Sequence, residues 1–130
     1  MITSKQNIKK FIPGIAWFFL VLVLICIPSS NLPDDVGFLK KISFDKWVHA
    51  GLFGVLALLF ILPVLKFNLT QKQKINYAIK ITLSVIVWGL ATEFIQKYFI
   101  TGRFFDWFDW LADSSGALLA FIFCKKRVAI

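Results

Sequence analysis

The sequence predicts an all-α integral membrane protein, a bundle of four transmembrane helices with both termini in the cytoplasm. The first reason is apolar segmentation. The 130 residues are 58% hydrophobic and 17% charged, with a mean hydropathy of +0.76. They divide into apolar segments from Phe11 to Pro28, Trp47 to Leu65, Ile75 to Phe99 and Trp107 to Cys124. Each segment matches the roughly 17 to 25 residues that a bilayer core of about 30 Å requires. The second reason is the charge map. One set of alternating segment ends carries Lys5, Lys9, Lys10, Lys66, Lys72, Lys74, Lys80, Lys125, Lys126 and Arg127 and no acid. The other set carries all seven carboxylates, Asp34, Asp35, Asp45, Glu93, Asp106, Asp109 and Asp113. Cations collect on the cytoplasmic side, so residues 1–10 and 125–130 read as basic cytoplasmic ends and residues 11–124 as one transmembrane domain.

The formal charge of +8 does not point to nucleic acid. These cations stand in short flanks beside apolar segments, where they set topology and favour anionic lipid. Membrane lipids are therefore expected partners and nucleic acid is not. Four spans leave no length for another folded domain, and the chain has neither an internal repeat nor a low-complexity tract.

The first segment resembles a secretory signal in its basic start and its apolar middle from Ile15 to Ile27. It lacks a small-x-small cleavage site, and Leu24-Ile25-Cys26 lacks the small residue expected before a lipoprotein cysteine, so an uncleaved span is expected. Cys26 at its outer end and Cys124 at the inner end of segment four lie too far apart to form a disulfide. Both read as apolar filler.

Pro28-Ser29-Ser30-Asn31-Leu32-Pro33-Asp34-Asp35 cannot continue a helix and reads as an external loop, with helix resuming around Ser43, a plausible N-cap, or Phe44. Segment two should end near Pro63 to Lys66, followed by a cytoplasmic loop through Asn68-Leu69-Thr70-Gln71. Thr101-Gly102 breaks the chain after segment three. Trp47, Tyr98, Phe99, Phe104, Phe105, Trp107, Phe108 and Trp110 gather at the outer surface as an aromatic belt.

Polar residues inside the spans point to function. Asp45 and His49 share a helical face, with Lys46 one turn before His49. Gly89, Glu93 and Gln96 share a face of segment three. Asp106, Asp109, Asp113, Gly116 and Ala120 follow one stripe of segment four. At about 1.5 Å of rise per residue, Glu93 lies roughly 9 Å below Phe99 and Asp113 roughly 9 Å below Trp107. His49, Glu93, Gln96, Asp109 and Asp113 are thus expected to meet in the outer half of the bilayer, where ionisable groups cost several kcal/mol unless paired or wetted. Segment one, without an interior charge, serves as packing.

These residues carry a family resemblance over about residues 15 to 124. Asp45-Lys46-x-x-His49, Glu93-x-x-Gln96 and Gly102-Arg103-x-x-Asp106-x-x-Asp109-x-x-x-Asp113-x-x-Gly116 resemble the VanZ-like membrane proteins in order, spacing and placement. The family pattern has Asn where this chain has Asp113, which changes the charge at that position. The resemblance implies a multi-pass protein of the bacterial cell envelope, in a family whose namesake is linked to resistance to the glycopeptide antibiotic teicoplanin. It implies no reaction.

Each group also has a structural reading. Asp45 and Lys46 can cap and anchor segment two, and Asp106 and Asp109 suit the first turn of segment four. His49 can be a hydrogen-bonded core residue. Glu93 can pair with Arg103, Lys97 or His49. Arg103 can balance Asp106 and Asp109, or grip phosphate or carboxylate with its planar fork. Gly116, Ala117 and Ala120 permit close helix approach, as do Ala50, Gly54 and Ala57.

The functional reading takes Asp45, Lys46, His49, Glu93, Gln96, Arg103, Asp106, Asp109 and Asp113 as a binding site for a lipid-linked cell-wall precursor or lipid-like glycopeptide. Lys46 and Arg103 would meet its anionic head. An intramembrane enzyme acting on a lipid-linked headgroup is the alternative, with His49, Glu93 or Asp109 as catalytic groups. Proton-coupled transport is a third reading. No metal or other cofactor is expected, because the chain has no His/Cys pair at ligand spacing and no H-E-x-x-H. It also lacks a G-x-S-x-G or a P-loop.

Overall fold

The computed structural model describes residues 8–26, 38–100 and 107–129. Among these the chain is all-α, with helices α1 (Ile12–Ile25), α2 (Phe38–Leu65), α3 (Gln71–Phe99) and α4 (Trp107–Ala129) and no strand. The expected loop from Pro28 to Asp35, the Thr101-Gly102 break, and the belt residues Phe104 and Phe105 lie outside the described residues.

Side-chain contacts fix the directions of the helices. Phe11, just before α1, stacks on Phe60 at 6.0 Å between ring centroids, and Trp17 Nε1 donates to the Leu52 carbonyl at 2.9 Å, so α1 runs antiparallel to α2. Phe18 meets Trp88 at 4.8 Å and Gln96 Nε2 donates to the Ile25 carbonyl at 3.2 Å, so α1 and α3 are parallel. His49 pairs with Asp113 while Gly54 packs on Gly116, making α2 and α4 parallel. Gly89 abuts Asp113, and Gln71 Nε2 donates to the Val128 carbonyl at 3.2 Å, so α3 and α4 are antiparallel. This is an up-down-up-down bundle in which α2 and α4 share the most extensive contact and α1 packs on its side.

The α2–α4 contact depends on missing side chains. A Cβ at Gly54 would lie 3.2 Å from the Gly116 carbonyl oxygen, and one at Gly116 would overlap the Ala50 carbonyl oxygen and lie 3.0 Å from the Gly54 nitrogen. Close backbone approach of this kind maximises dispersion contact between helices.

Helix ends differ from the sequence expectation in two places. Helix α2 begins at Phe38, so Ser43 lies inside it and is not the N-cap. The run Phe38-Leu39-Lys40-Lys41-Ile42 contains neither Gly nor Pro, and nothing in it stops the helix from starting early. Helix α3 begins four residues before its apolar segment, where Thr70 Oγ1 accepts from the Gln73 N–H and Gln73 Oε1 accepts from the Thr70 N–H, a reciprocal capping box. Pro63 sits in the last turn of α2, where its missing N–H costs one helical hydrogen bond close to the terminus.

Two stretches, Lys46–Leu65 and Gln71–Phe99, are long and apolar enough to cross a membrane, and in the most apolar part of each 33% is buried within the protein. Helix α1 has 14 residues, about 21 Å, and α4 has 23 residues but includes Asp109, Asp113 and the terminal Lys125, Lys126 and Arg127. Apolar side chains crowd the outside: Phe19, Val23, Leu83, Val87, Leu119 and Phe123 are all exposed. The interior holds the polar groups, with Glu93 and Asp113 at 0% exposure. Cys26 and Cys124 are both free.

Candidate functional site

Helices α2, α3 and α4 each contribute an interior polar face, and the three faces converge at the acid-bearing end of the bundle. On α2, Lys46 and His49 are one turn apart. On α4, Asp109 and Asp113 are likewise one turn apart. Because α2 and α4 run parallel, the two pairs match rung by rung. Lys46 Nζ forms an ion pair with Asp109 Oδ1, and His49 Nδ1 lies 2.8 Å from Asp113 Oδ1. His49 Nε2 faces back toward Asp109 Oδ2 at 3.7 Å. The imidazole is thus held between two carboxylates, and its ring lies parallel to that of Phe53, 6.4 Å away.

Helix α3 supplies the third wall. Glu93 is fully buried, and one ligand atom each from His49, Glu93 and Asp109 lie within 4.8 Å of one another. Asp113 instead faces Gly89, where a Cβ would come within 3.1 Å of both Asp113 Cβ and Oδ2. Gly89 is therefore the space into which the Asp113 carboxylate fits. Thr92 Oγ1 donates to the Gly89 carbonyl at 2.7 Å, which satisfies a buried hydroxyl without using the cluster.

Depths differ from the equal levels expected for Glu93 and Asp113. The structure sets Asp113 beside Gly89 and Glu93 beside Asp109, one turn nearer the helix end. Equal depths require α3 to end at the level where α4 begins, whereas α3 extends further. Gln96 is buried, and its amide hydrogen bond to Ile25 ties α3 to the last turn of α1. Asp45 lies in α2, but its side chain, like Arg103 and Asp106, lies outside the described residues.

Two features were not anticipated from sequence. Trp110 Nε1 donates to the Ile86 carbonyl at 3.0 Å, so this expected belt residue cross-links α4 to α3. On another side of the bundle, Phe18, Leu56, Phe60, Ile81, Val85 and Trp88 form most of the wall of a cavity of about 330 Å³. Of the other aromatic residues expected at that surface, Trp47, Tyr98, Phe99, Trp107 and Phe108 are exposed near the acid-bearing end, with Trp47 78% and Phe99 80% exposed.

Chemically, the cluster sets a cation, an imidazole and three carboxylates side by side, with Lys46 and Asp109 at its open edge and Glu93 and Asp113 wholly buried. The side chain of Lys46 is 24% exposed and that of Asp109 10% exposed, whereas Asp113 is closed off. No protein-family model matches the chain, and comparisons with curated proteins and with solved structures find no match either.

Proposed function

We propose that the chain is a VanZ-like four-pass protein of the bacterial cell membrane, with both termini cytoplasmic. Its polar cluster lies in the outer half of the bilayer and binds the anionic head of a lipid-linked envelope precursor or a lipid-like glycopeptide. The observation that carries this reading is the burial of His49, Glu93, Asp109 and Asp113 together, with Lys46 at their edge, inside helices whose outer faces are apolar. In water such an arrangement exposes greasy surface and hides charge. In a bilayer the same polarity is the stable one, and intramembrane ionisable groups that face a bundle interior mark sites of function. The alternation of helix directions supports the charge map, since it sets Lys10, Lys66, Lys72 and Lys126 at the opposite end from Glu93, Asp109 and Asp113.

Lys46 supplies the positive charge for a phosphate or carboxylate headgroup, and the exposed aromatics beside it suit the interface between headgroup and chain. Deleting the protein should alter susceptibility to a lipidated glycopeptide more than to a non-lipidated one. Equal changes would sink the proposal.

A second reading, an intramembrane enzyme on a lipid-linked headgroup, is favoured by one observation. His49 is oriented through Nδ1 by a buried carboxylate, as a general base would be. Turnover of a lipid-linked substrate by purified protein, lost in His49→Gln, is the result it requires.

A further inference from the structure

We propose that His49, Glu93 and Asp109 form a binding site for a divalent first-row transition-metal ion of the Zn²⁺ type, with Asp113 and Lys46 as positioning residues. Sequence spacing gives no hint of this, because the ligands come singly from three helices. The fold brings them together.

Three aspects of the geometry carry the inference. First, one ligand atom from each residue lies within 4.8 Å of the others, and all three residues are buried. Ligands held about 2.0 to 2.2 Å from a common ion stand roughly 3 to 4.4 Å apart, so small rotations of side chains complete the shell. The separation of 3.7 Å between His49 Nε2 and Asp109 Oδ2 already falls in that range.

Second, the imidazole is set as a metal-binding imidazole is set. With the Nδ1 proton directed at Asp113 Oδ1, 2.8 Å away, Nε2 presents its lone pair toward Asp109. A carboxylate behind the histidine fixes its tautomer and raises its basicity, and metal centres use that arrangement widely. In the neutral Nδ1–H tautomer both Nε2 and Oδ2 are acceptors, and a metal ion between them takes the place of the proton that joins them when the imidazole is charged.

Third, the two oxygens of Asp109 have separate tasks. Lys46 engages Oδ1, and Oδ2 faces His49 Nε2. The donor set of one nitrogen and two carboxylates suits Zn²⁺ or Mn²⁺ better than Mg²⁺, which prefers oxygen and keeps its waters. Three protein ligands also leave a coordination position open, the pattern of sites that bind an exchangeable molecule. A phosphate oxygen or water is the chemistry that fits there. The ion site stands on this geometry alone, whatever amphiphile the protein binds.

The test uses tag-free full-length protein in detergent, stripped with a chelator and titrated separately with Zn²⁺, Mn²⁺ and Mg²⁺. One Zn²⁺ per chain is expected, with Mg²⁺ held at least ~100-fold more weakly. Replacements His49→Ala, Glu93→Gln and Asp109→Asn should each weaken Zn²⁺ by more than ~100-fold, Asp113→Asn should weaken it by about 10- to 100-fold, and Ser115→Ala should leave it unchanged. His49 is the single histidine in the chain. Hyperfine coupling between bound Mn²⁺ and an imidazole nitrogen in the unmutated protein therefore identifies the site even if a variant fails to fold. Absence of saturable binding, absence of that coupling, or unchanged affinity in His49→Ala overturns the proposal.

Discussion

His49 Nδ1 and Asp113 Oδ1 lie 2.8 Å apart across the α2–α4 contact, with both residues almost wholly buried. Leaving one buried partner without the other costs about 1–3 kcal/mol, and more where charge is involved. Asp113→Asn keeps an acceptor for a proton on Nδ1 and should cost about 1 kcal/mol or less. Asp113→Leu should cost about 3 kcal/mol. Detergent unfolding of both single variants, His49→Ala and the double variants gives the coupling, and a value near zero would show that the pair does not hold the helices together.

Gly89, Gly116 and Gly51 should respond to alanine in different ways. At Gly116 the new methyl would overlap a backbone carbonyl, which cannot swing away. Gly116→Ala should therefore be the most damaging, by 3 kcal/mol or more on an order-of-magnitude scale. Gly89→Ala meets the Asp113 side chain at 3.1 Å and should cost about 1–3 kcal/mol while shifting that carboxylate. Nothing lies within 4 Å of a Cβ on Gly51, so helix propensity alone acts there, and Gly51→Ala should stabilise by up to about 1 kcal/mol. Thermal unfolding in one detergent ranks the three.

The helices were legible in the sequence because each apolar segment ends in charge, Pro or Gly, and because the thirteen-residue stretch Trp47 to Leu59 contains no polar side chain besides His49. The stripe through Asp109 and Asp113 was legible from helical spacing, and so was the common end shared by His49 and Glu93. Register was not. Whether Glu93 meets Asp109 or Asp113 depends on how far α3 overshoots α4, and that offset is set by Gly89 making room for Asp113, a tertiary contact that no local pattern encodes. The early start of α2 escaped for a related reason, since residues 38–42 are charged and apolar in a mixture that signals neither helix nor loop. The Thr70-x-x-Gln73 cap, by contrast, was present in the sequence and readable.

Sidedness gives a third prediction. Gln71 and Val128 are hydrogen-bonded at one end of the bundle, and Lys46 and Asp109 are paired at the other. In a background with Cys26 and Cys124 replaced by Ser, Lys72→Cys and Arg127→Cys should react only with a reagent that reaches the cytoplasm. Trp107→Cys should react from outside. Labelling of Lys72→Cys and Trp107→Cys from the same side contradicts the four-pass arrangement.

Gln96 separates packing from binding. Its amide hydrogen bond reaches Ile25 on α1 and leads away from the carboxylates. Gln96→Leu should cost about 0.5–1.5 kcal/mol of stability, loosen the last turn of α1, and leave ligand affinity within about twofold. A large loss of affinity with unchanged unfolding would put Gln96 in the binding site after all.

Lys46 bears on both. Its side chain is 24% exposed but its partner Asp109 is buried, so Lys46→Gln should cost about 1–3 kcal/mol of stability. The charge matters for binding too, because an ammonium at the headgroup level distinguishes an anionic head from a neutral one of the same chain length. Polyprenyl phosphate and the corresponding uncharged polyprenol, titrated against the protein in detergent, differ in that charge alone. The unmutated protein should prefer the phosphate by at least about tenfold, which is about 1.4 kcal/mol. Lys46→Gln should remove most of that preference while leaving the weak affinity for the alcohol intact. Equal affinities for phosphate and alcohol in the unmutated protein would mean that the cluster does not recognise an anionic head, and the buried carboxylates would then need a structural explanation.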